Sequence, residues 1–487
     1  MTSHIENPEP GELRTMTPDE FRAAAYEHAD WIANYFATVR SYPVASKAQP
    51  GDLIAALPPE APEAGEPVEQ ILKDFESTIF PSLTLWNHPR FFPWFSVSST
   101  PPSVLADFMI SAMNVNAMIW KSSPGATELE QVTLGWLRQW IGLGQEWFGI
   151  IYDTASVGVM QAIGAAREWI DPEIRTRGMQ GGLTVYVSEQ THNSSEKGAI
   201  TLGFGQENVR RIGVDAEFRM RADLLENAIK DDLAAGKRPC CIVASIGATP
   251  TSSIDPVAAI ADIAERYHVW LHVDAAYAGA AAVVPEMRHL FEGMERADSL
   301  ILNPHKWLYV SIDCCVLYTR RPEIFRRASS LSADYLRTKE DESVVNYNDY
   351  GVQLGRRFRA LKLWYVFRYY GRNGIIAMLR RSLALAQILK ALIEADEDFE
   401  VSAPVPFSLV CFRHRNGGDA FNTRLLDEIN VSGKAFLSQT RLNGRFVLRF
   451  AIGNFQTTEQ DIRESWQLIR ATAFRLEEAL AAVPSGG

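Results

Sequence analysis

Two residues carry the chemistry that this sequence offers most directly. Asp274 follows the apolar run Val269–Val273, and Lys306 follows a second run, Ser299–Leu302, by way of Asn303-Pro304-His305. They are 32 residues apart, the length of one further strand–crossover unit, so both emerge at one edge of one sheet. Lys306 sits among apolar and aromatic neighbours, where an ammonium is costly and its pKa should fall. A lysine poised to be neutral suits Schiff-base chemistry. A carboxylate that keeps a pyridinium nitrogen protonated turns the ring into an electron sink. The competing reading is a surface salt bridge, and the apolar flanks weigh against it.

Two further stretches belong to the same edge. Asp153-Thr154-Ala155-Ser156 lies between the strand Gly149–Tyr152 and a helix running to about Trp169. Small hydroxylated residues at a helix N-terminus make an anion site, because free backbone N–H groups and the helix dipole face the ligand. His192, in Glu189-Gln190-Thr191-His192-Asn193-Ser194-Ser195, again follows a strand. It is placed either to cap that turn or to stack on a flat ring.

The elements that must position these residues are repeated βα units. Strands are predicted at Gly149–Tyr152, Leu183–Ser188, Val209–Val214, Cys240–Ile246, Val269–Val273, Ser299–Leu302 and Cys315–Thr319. Helical periods lie between them, including Arg221–Ala235 and one opened by Asp255 as N-cap with Pro256 in its first turn. This alternation predicts a mostly parallel sheet covered on both faces, with ligands at the carboxyl ends of the strands. Before it, residues 1–100 read as a Pro-rich helical arm. Thr17-Pro18-Asp19-Glu20 opens a helix from Phe21 to about Tyr42, and an aromatic cluster spans Trp86–Phe95. Such aromatic surface beside so many prolines must cover the main domain or dock on another subunit. Residues 101–375 form the large α/β domain. Residues 376–487 form a small α+β domain, reached along a helical run interrupted at Gly371–Gly374.

Composition bounds the partners. The 487 residues are 47% hydrophobic and 22% charged, enough for a large core and against wholesale disorder. The net charge of −11 argues against nucleic acid and acidic membranes. The longest apolar stretch, residues 275–285, is about half of a membrane span. No basic-then-apolar leader opens the chain. The five cysteines, Cys240, Cys241, Cys314, Cys315 and Cys411, have neither disulfide-prone nor metal-binding spacing. These features predict a cytoplasmic protein with reduced thiols, no metal and a small-molecule partner.

The stretches Pro124–Glu130 (PGATELE), Trp270–Gly279 (WLHVDAAYAG), Ala297–Trp307 (ADSLILNPHKW), Leu354–Trp364 (LGRRFRALKLW) and Phe446–Ile452 (FVLRFAI) carry a family likeness. In type, order and spacing the chain resembles the group II pyridoxal-phosphate-dependent decarboxylases, specifically the aromatic-L-amino-acid decarboxylase family. The resemblance covers the chain from about Trp86 to near its C-terminus. It implies a fold-type I, aspartate-aminotransferase-like α/β architecture, pyridoxal 5'-phosphate as cofactor, and a homodimer with active sites at the interface. It implies that Lys306 is the Schiff-base lysine, Asp274 the partner of the pyridine nitrogen, Ala276 the small residue under the ring and His192 the residue stacked above it. Thr154, Ala155 and Ser156 match the phosphate turn, assisted by Asn303 and His305. Thr249 matches a threonine near the ring substituents. Leu354 and Gly355 match positions that approach the other subunit's cofactor. Tyr335, in Ser332-Ala333-Asp334-Tyr335-Leu336, matches the loop tyrosine that protonates Cα after decarboxylation.

The implied activity is decarboxylation of an L-amino acid, most readily an aromatic one (tryptophan, phenylalanine or tyrosine), to the amine and CO₂. Family members that release aldehydes commonly replace the loop tyrosine or the stacking histidine, and both are present here. The implied substrate wall is Trp86, Trp94, Val97, Asn116, Met118 and Ile312. Several of these depart from the family's usual residues: Trp94, Ser96 and Val97 stand where animal members carry Tyr, Pro and Thr, and Val97 cannot hydrogen-bond a catechol. Asp153 replaces a common Gly. The alternatives are an aldehyde-forming enzyme on the same scaffold and a glutamate or other non-aromatic decarboxylase. A glutamate pocket needs a basic residue, and Arg90 is the nearest candidate.

Overall fold

In the computed structural model, described here for residues 15–331, 339–340 and 343–481, seven strands form the main sheet. They are β1 (Phe148–Tyr152), β2 (Leu183–Ser188), β3 (Val209–Ile212), β4 (Arg238–Ser245), β5 (Trp270–Asp274), β6 (Ser299–Leu302) and β7 (Cys315–Thr319). All seven coincide with predicted runs to within a few residues. Their spatial order is β1-β7-β6-β5-β4-β2-β3. Five neighbouring strands, β6 to β3 in that order, pair in parallel; β7 runs antiparallel between β6 and β1. Of the parallel strands, β2, β4, β5 and β6 are buried along nearly their whole length, as expected where helices cover both faces, while the edge strand β3 is only partly buried.

The helix Ala155–Ile170 lies against the sheet, and its glycine Gly158 makes the close approach possible: a Cβ there would sit 2.3 Å from Ile301 Cδ1. A four-stranded antiparallel sheet follows in the C-terminal part, from β8 (Phe399–Val401), β9 (Leu409–His414), β10 (Ser438–Leu442) and β11 (Arg445–Ala451). The helix Ala360–Glu394 joins the two sheets, crossing residue 375 as one element with a kink at Gly371, φ 61° and ψ 175°.

Two sequence expectations shift. The first helix spans Pro18–Thr38, opening three residues before Phe21, because Thr17 and Glu20 cap each other's backbone reciprocally. Asp255 does not cap the helix Val257–Tyr267. Its buried carboxylate instead accepts the N–H groups of Met220 and Ser245, both at 2.7 Å, so it pins the end of β4. The arginines of the 356–359 cluster are all paired with carboxylates: Arg356 with Glu130, Arg357 with Asp107 and Arg359 with Asp313. Among the described residues no helix is long and apolar enough to cross a membrane.

Candidate active site

Strand register assembles the site. Ser245 pairs with Asp274 at the ends of β4 and β5, and Asp274 with Ile301 across β5 and β6. Past these ends, the Asn303 N–H donates to the Ala276 carbonyl at 2.9 Å, fastening the two connections together. The short turn Pro304–Trp307 then delivers Lys306. The result is a cavity of about 240 Å³ at the carboxyl edge of the sheet.

Of the residues singled out from sequence, Thr154, Ala155, Ser156, His192, Thr249, Asp274, Ala276, Asn303, His305 and Lys306 line this cavity. Lys306 Nζ stands 5.5 Å from the centre of the Phe95 ring. Enclosure by its wall lowers the Lys306 pKa, against the opposing pull of Asp274 and Cys315. Asp274 is buried, and its Oδ1 accepts the Ala276 N–H at 3.0 Å. His192 Nδ1 accepts the Ser194 N–H at 3.2 Å, so the neutral ring carries its proton on Nε2. Burial of the ring lowers the His192 pKa, Lys306 and Lys197 add to this, and Asp274 opposes it. His305 is held near pKa 4 by burial and by Lys306; its Nδ1 accepts the Cys314 N–H at 3.0 Å.

The cavity also includes a helix start with the character of an anion site. The helix Ala155–Ile170 has no side-chain cap at Thr154, so its first N–H groups remain available beside Ala155 and Ser156. Ser245 Oγ and Asn303 Oδ1 are buried polar atoms without a partner among the described residues, and both residues line the cavity. Gly247 lines it too, with φ +83°; a Cβ there would lie 2.5 Å from that of Ala278.

Other residues of the sequence reading lie elsewhere. Trp86, Trp94, Val97, Asn116, Met118, Ile312, Leu354 and Gly355 are not among the cavity-lining residues of the single chain. Trp86 and Trp94 stack at 5.2 Å, and Trp94 holds a left-handed backbone, φ 49°. Asn116 Oδ1 accepts the Arg356 N–H at 3.0 Å, next to Gly355. Ile312 is 63% exposed. Arg90 is committed to carboxylates, to Asp461 at 3.0 Å and to Glu464. Tyr335 lies outside the described residues.

Sequence reasoning passed over Ser194, Ser245, Gly247, Ala248 and Tyr277, which line the cavity, and Phe95, which faces Lys306. The strand-end rule could have found Ser245 and Gly247. Phe95 is reached only through the fold: its ring stacks on Tyr277 at 3.7 Å, and Tyr277 on Trp307 at 4.8 Å.

Residues 50–415 match the pyridoxal-dependent decarboxylase conserved domain. The chain belongs to that family. A tryptophan decarboxylase of Camptotheca acuminata is 37% identical, over 97% of this chain and 98% of the relative. A phenylacetaldehyde synthase of Petunia hybrida is also 37% identical, over 93% and 94%. The crystal structure of Oryza sativa TDC with PLP and tryptamine superposes with a TM-score of 0.93 at 34% identity, covering 96% of this chain and all of that one. This member of the family is thus a pyridoxal-phosphate-dependent amino-acid decarboxylase with a fold-type I architecture. Its cavity fits the cofactor: a lysine of lowered pKa, a buried carboxylate, and a helix start without a side-chain cap.

Proposed function

We propose that this decarboxylase converts an aromatic L-amino acid to its amine, with Lys306, Asp274 and His192 at the centre of the reaction. The observation that carries the reading is their convergence, with an uncapped helix N-terminus, on one cavity. Bound there, pyridoxal phosphate supplies the ring that takes up the electron pair released when the Cα–carboxylate bond breaks. Lys306, its amine kept neutral by burial, would hold the cofactor through its aldehyde. Asp274 keeps the proton on the ring nitrogen. His192 would pack on the ring, and Ala276, small, would leave room for it. Ala155, Ser156 and the helix start hold the phosphate, with Asn303 and His305 beside them; Thr249 sits near the ring substituents. Tyr335 returns the proton to Cα.

The aromatic class is supported by the names of the relatives and by the aromatic cluster Trp86–Phe95. The engagement of Arg90 by two carboxylates leaves it poorly suited to pair a distal substrate carboxylate. The working form is a cytoplasmic homodimer. Asn116, Met118, Ile312, Leu354 and Gly355 stand apart from their own chain's cavity and serve the neighbour's. Exposed Leu105, Phe108, Met109 and Met113 on the helix Pro101–Met113 offer apolar area for that contact.

The test is product analysis of the purified holoenzyme across the twenty amino acids, with borohydride reduction and peptide mapping. An arylalkylamine with CO₂, and the reduced cofactor on Lys306, are expected. A label elsewhere overturns the site. Turnover of glutamate alone overturns the substrate class, and aldehyde with peroxide assigns the aldehyde-forming branch.

A further inference from the structure

Asp153 sits at the entrance to the phosphate turn, directly after the last residue of β1. Its Oδ1 accepts the Thr154 N–H at 2.5 Å and lies 3.3 Å from the Thr154 hydroxyl. Its Oδ2 accepts from Gln353 Nε2 at 2.8 Å. These partners are neutral, so they orient the carboxylate without cancelling its charge. Arg359 is near enough for its charge to be felt by Asp153, but its guanidinium is bound by both oxygens of Asp313, at 2.8 and 2.9 Å, so it tempers the Asp153 charge without pairing with it.

The next three residues give this position its weight. Thr154, Ala155 and Ser156 line the cavity where the helix Ala155–Ile170 begins. The attraction of that end for an anion comes from its free N–H groups and the partial positive charge of the dipole. A fixed carboxylate one residue before the helix cap takes up the Thr154 N–H and offsets part of that positive charge. A phosphate entering the turn therefore meets a resident negative charge at short range. Few side chains are worse placed to help a dianion bind, yet this one is held by hydrogen bonds on both oxygens.

We propose that Asp153 is a charge brake on cofactor binding: its carboxylate weakens the phosphate site, so that pyridoxal phosphate is held less tightly and exchanges faster than the turn alone would allow. The proposal rests on the reading of this cavity as the cofactor site. Gln353 fixes the direction of the effect, since it keeps the carboxylate turned toward the helix start. The link also ties the phosphate turn to the segment that carries Leu354 and Gly355.

The experiment uses the full-length apo-protein, prepared by removing the cofactor, and titrates pyridoxal phosphate by its absorbance and by protein fluorescence. Asp153→Asn is the informative variant. Its Oδ1 still accepts from Thr154, and Gln353 can present its own carbonyl to the new amide, so the frame survives while the charge is removed. The dissociation constant should fall roughly five- to tenfold, and the gap between variant and parent should narrow in high salt. Inorganic phosphate should compete with pyridoxal phosphate at correspondingly lower concentration. Asp153→Gly gives the same comparison with the side chain removed, should the amide fail to fold. Binding unchanged or weaker in the folded variant overturns the brake and leaves Asp153 as a turn former. Borohydride labelling separates the two readings: a label off Lys306 in the parent defeats the cavity assignment, whereas a label on Lys306 with unchanged affinity defeats only the role of Asp153.

Discussion

Glu130 and Arg356 meet inside the protein, with Nη2 2.7 Å from Oε1, and together they close the open edge of the main sheet. Among the described residues strand β1 pairs only with β7, so its other edge has no strand partner there. At Ile151 the Glu130 carboxylate accepts the strand N–H at 2.9 Å, and Arg356 donates to the strand carbonyl at 2.8 Å. Arg356 also donates to the Ala117 carbonyl and stacks 4.6 Å from the centre of the Tyr347 ring. One ion pair thus satisfies the open edge at Ile151, two residues before Asp153.

Removing Arg356 leaves the buried Glu130 charge without its counter-ion and the Ile151 and Ala117 carbonyls without that donor. Arg356→Met should lower unfolding stability by about 3 kcal/mol or more, read by denaturant titration of the apo-protein. It should also weaken pyridoxal phosphate binding, because Tyr152 and Asp153 lose their anchor. A variant with parental stability would show that the pair contributes nothing net.

Lys306 should lose its proton more readily than surface lysines, since its pKa is depressed chiefly by burial. Reductive trapping of pyridoxal by the apo-protein at Lys306 should therefore persist to lower pH than labelling elsewhere. Asp274 opposes the depression, so Asp274→Asn should move the trapping profile to still lower pH. Lys306→Ala should abolish the trapped product at that position and lower turnover by about 10³ or more, the scale of a lost catalytic group.

Tyr335 separates the two products open to this scaffold. If it returns the proton to Cα, Tyr335→Phe should lose amine formation and gain oxygen-dependent aldehyde release, measured by product chromatography and peroxide assay. Full amine output from the variant would remove Tyr335 from that role.

Acid should weaken the fold in a defined window. His272 is fully buried, its Nδ1 2.8 Å from Ser299 Oγ, and burial holds its pKa at about 4. His305 is likewise held at about 4. The unfolded chain binds a proton at each near pH 6.5, and the folded chain refuses it until about pH 4. Their contribution is therefore complete above pH 6.5 and is lost as the pH falls, by up to about 1.4 kcal/mol per pH unit for each histidine. Asp255 works the other way, because burial raises its pKa to about 6 and the folded chain takes its proton first. Two histidines outweigh one carboxylate, so the apo-protein should be less stable at pH 5 than at pH 7. His272→Gln should flatten that slope in denaturation experiments, and an unchanged slope would exclude His272 as a source.

Gly247→Ala should be poorly tolerated. The new Cβ meets Ala278 at 2.5 Å and the backbone has φ +83°, so a cost of about 2 kcal/mol is expected, with weakened cofactor binding. Thermal unfolding with and without pyridoxal phosphate measures both.

Local patterning alone placed the strands of the main sheet and the residues just past their ends. Apolar runs of β length, spaced by helical periods, are local signals, and they put Asp274, Lys306, His192 and the Thr154–Ser156 turn at strand ends without any knowledge of contacts. The helix break at Gly371 was legible for the same reason. Other features arose only as the chain came together in space. That β7 runs antiparallel, that Phe95 stands 5.5 Å from Lys306 some 211 residues away, and that Arg356 reaches Glu130 are results of chain crossings that no local pattern encodes. Asp255 shows the limit most plainly. Beside Pro256 it reads as a helix cap, yet its carboxylate is drawn to the buried N–H groups of Met220 and Ser245. Buried donors must find acceptors, and which acceptor is nearest is settled only when the chain has folded.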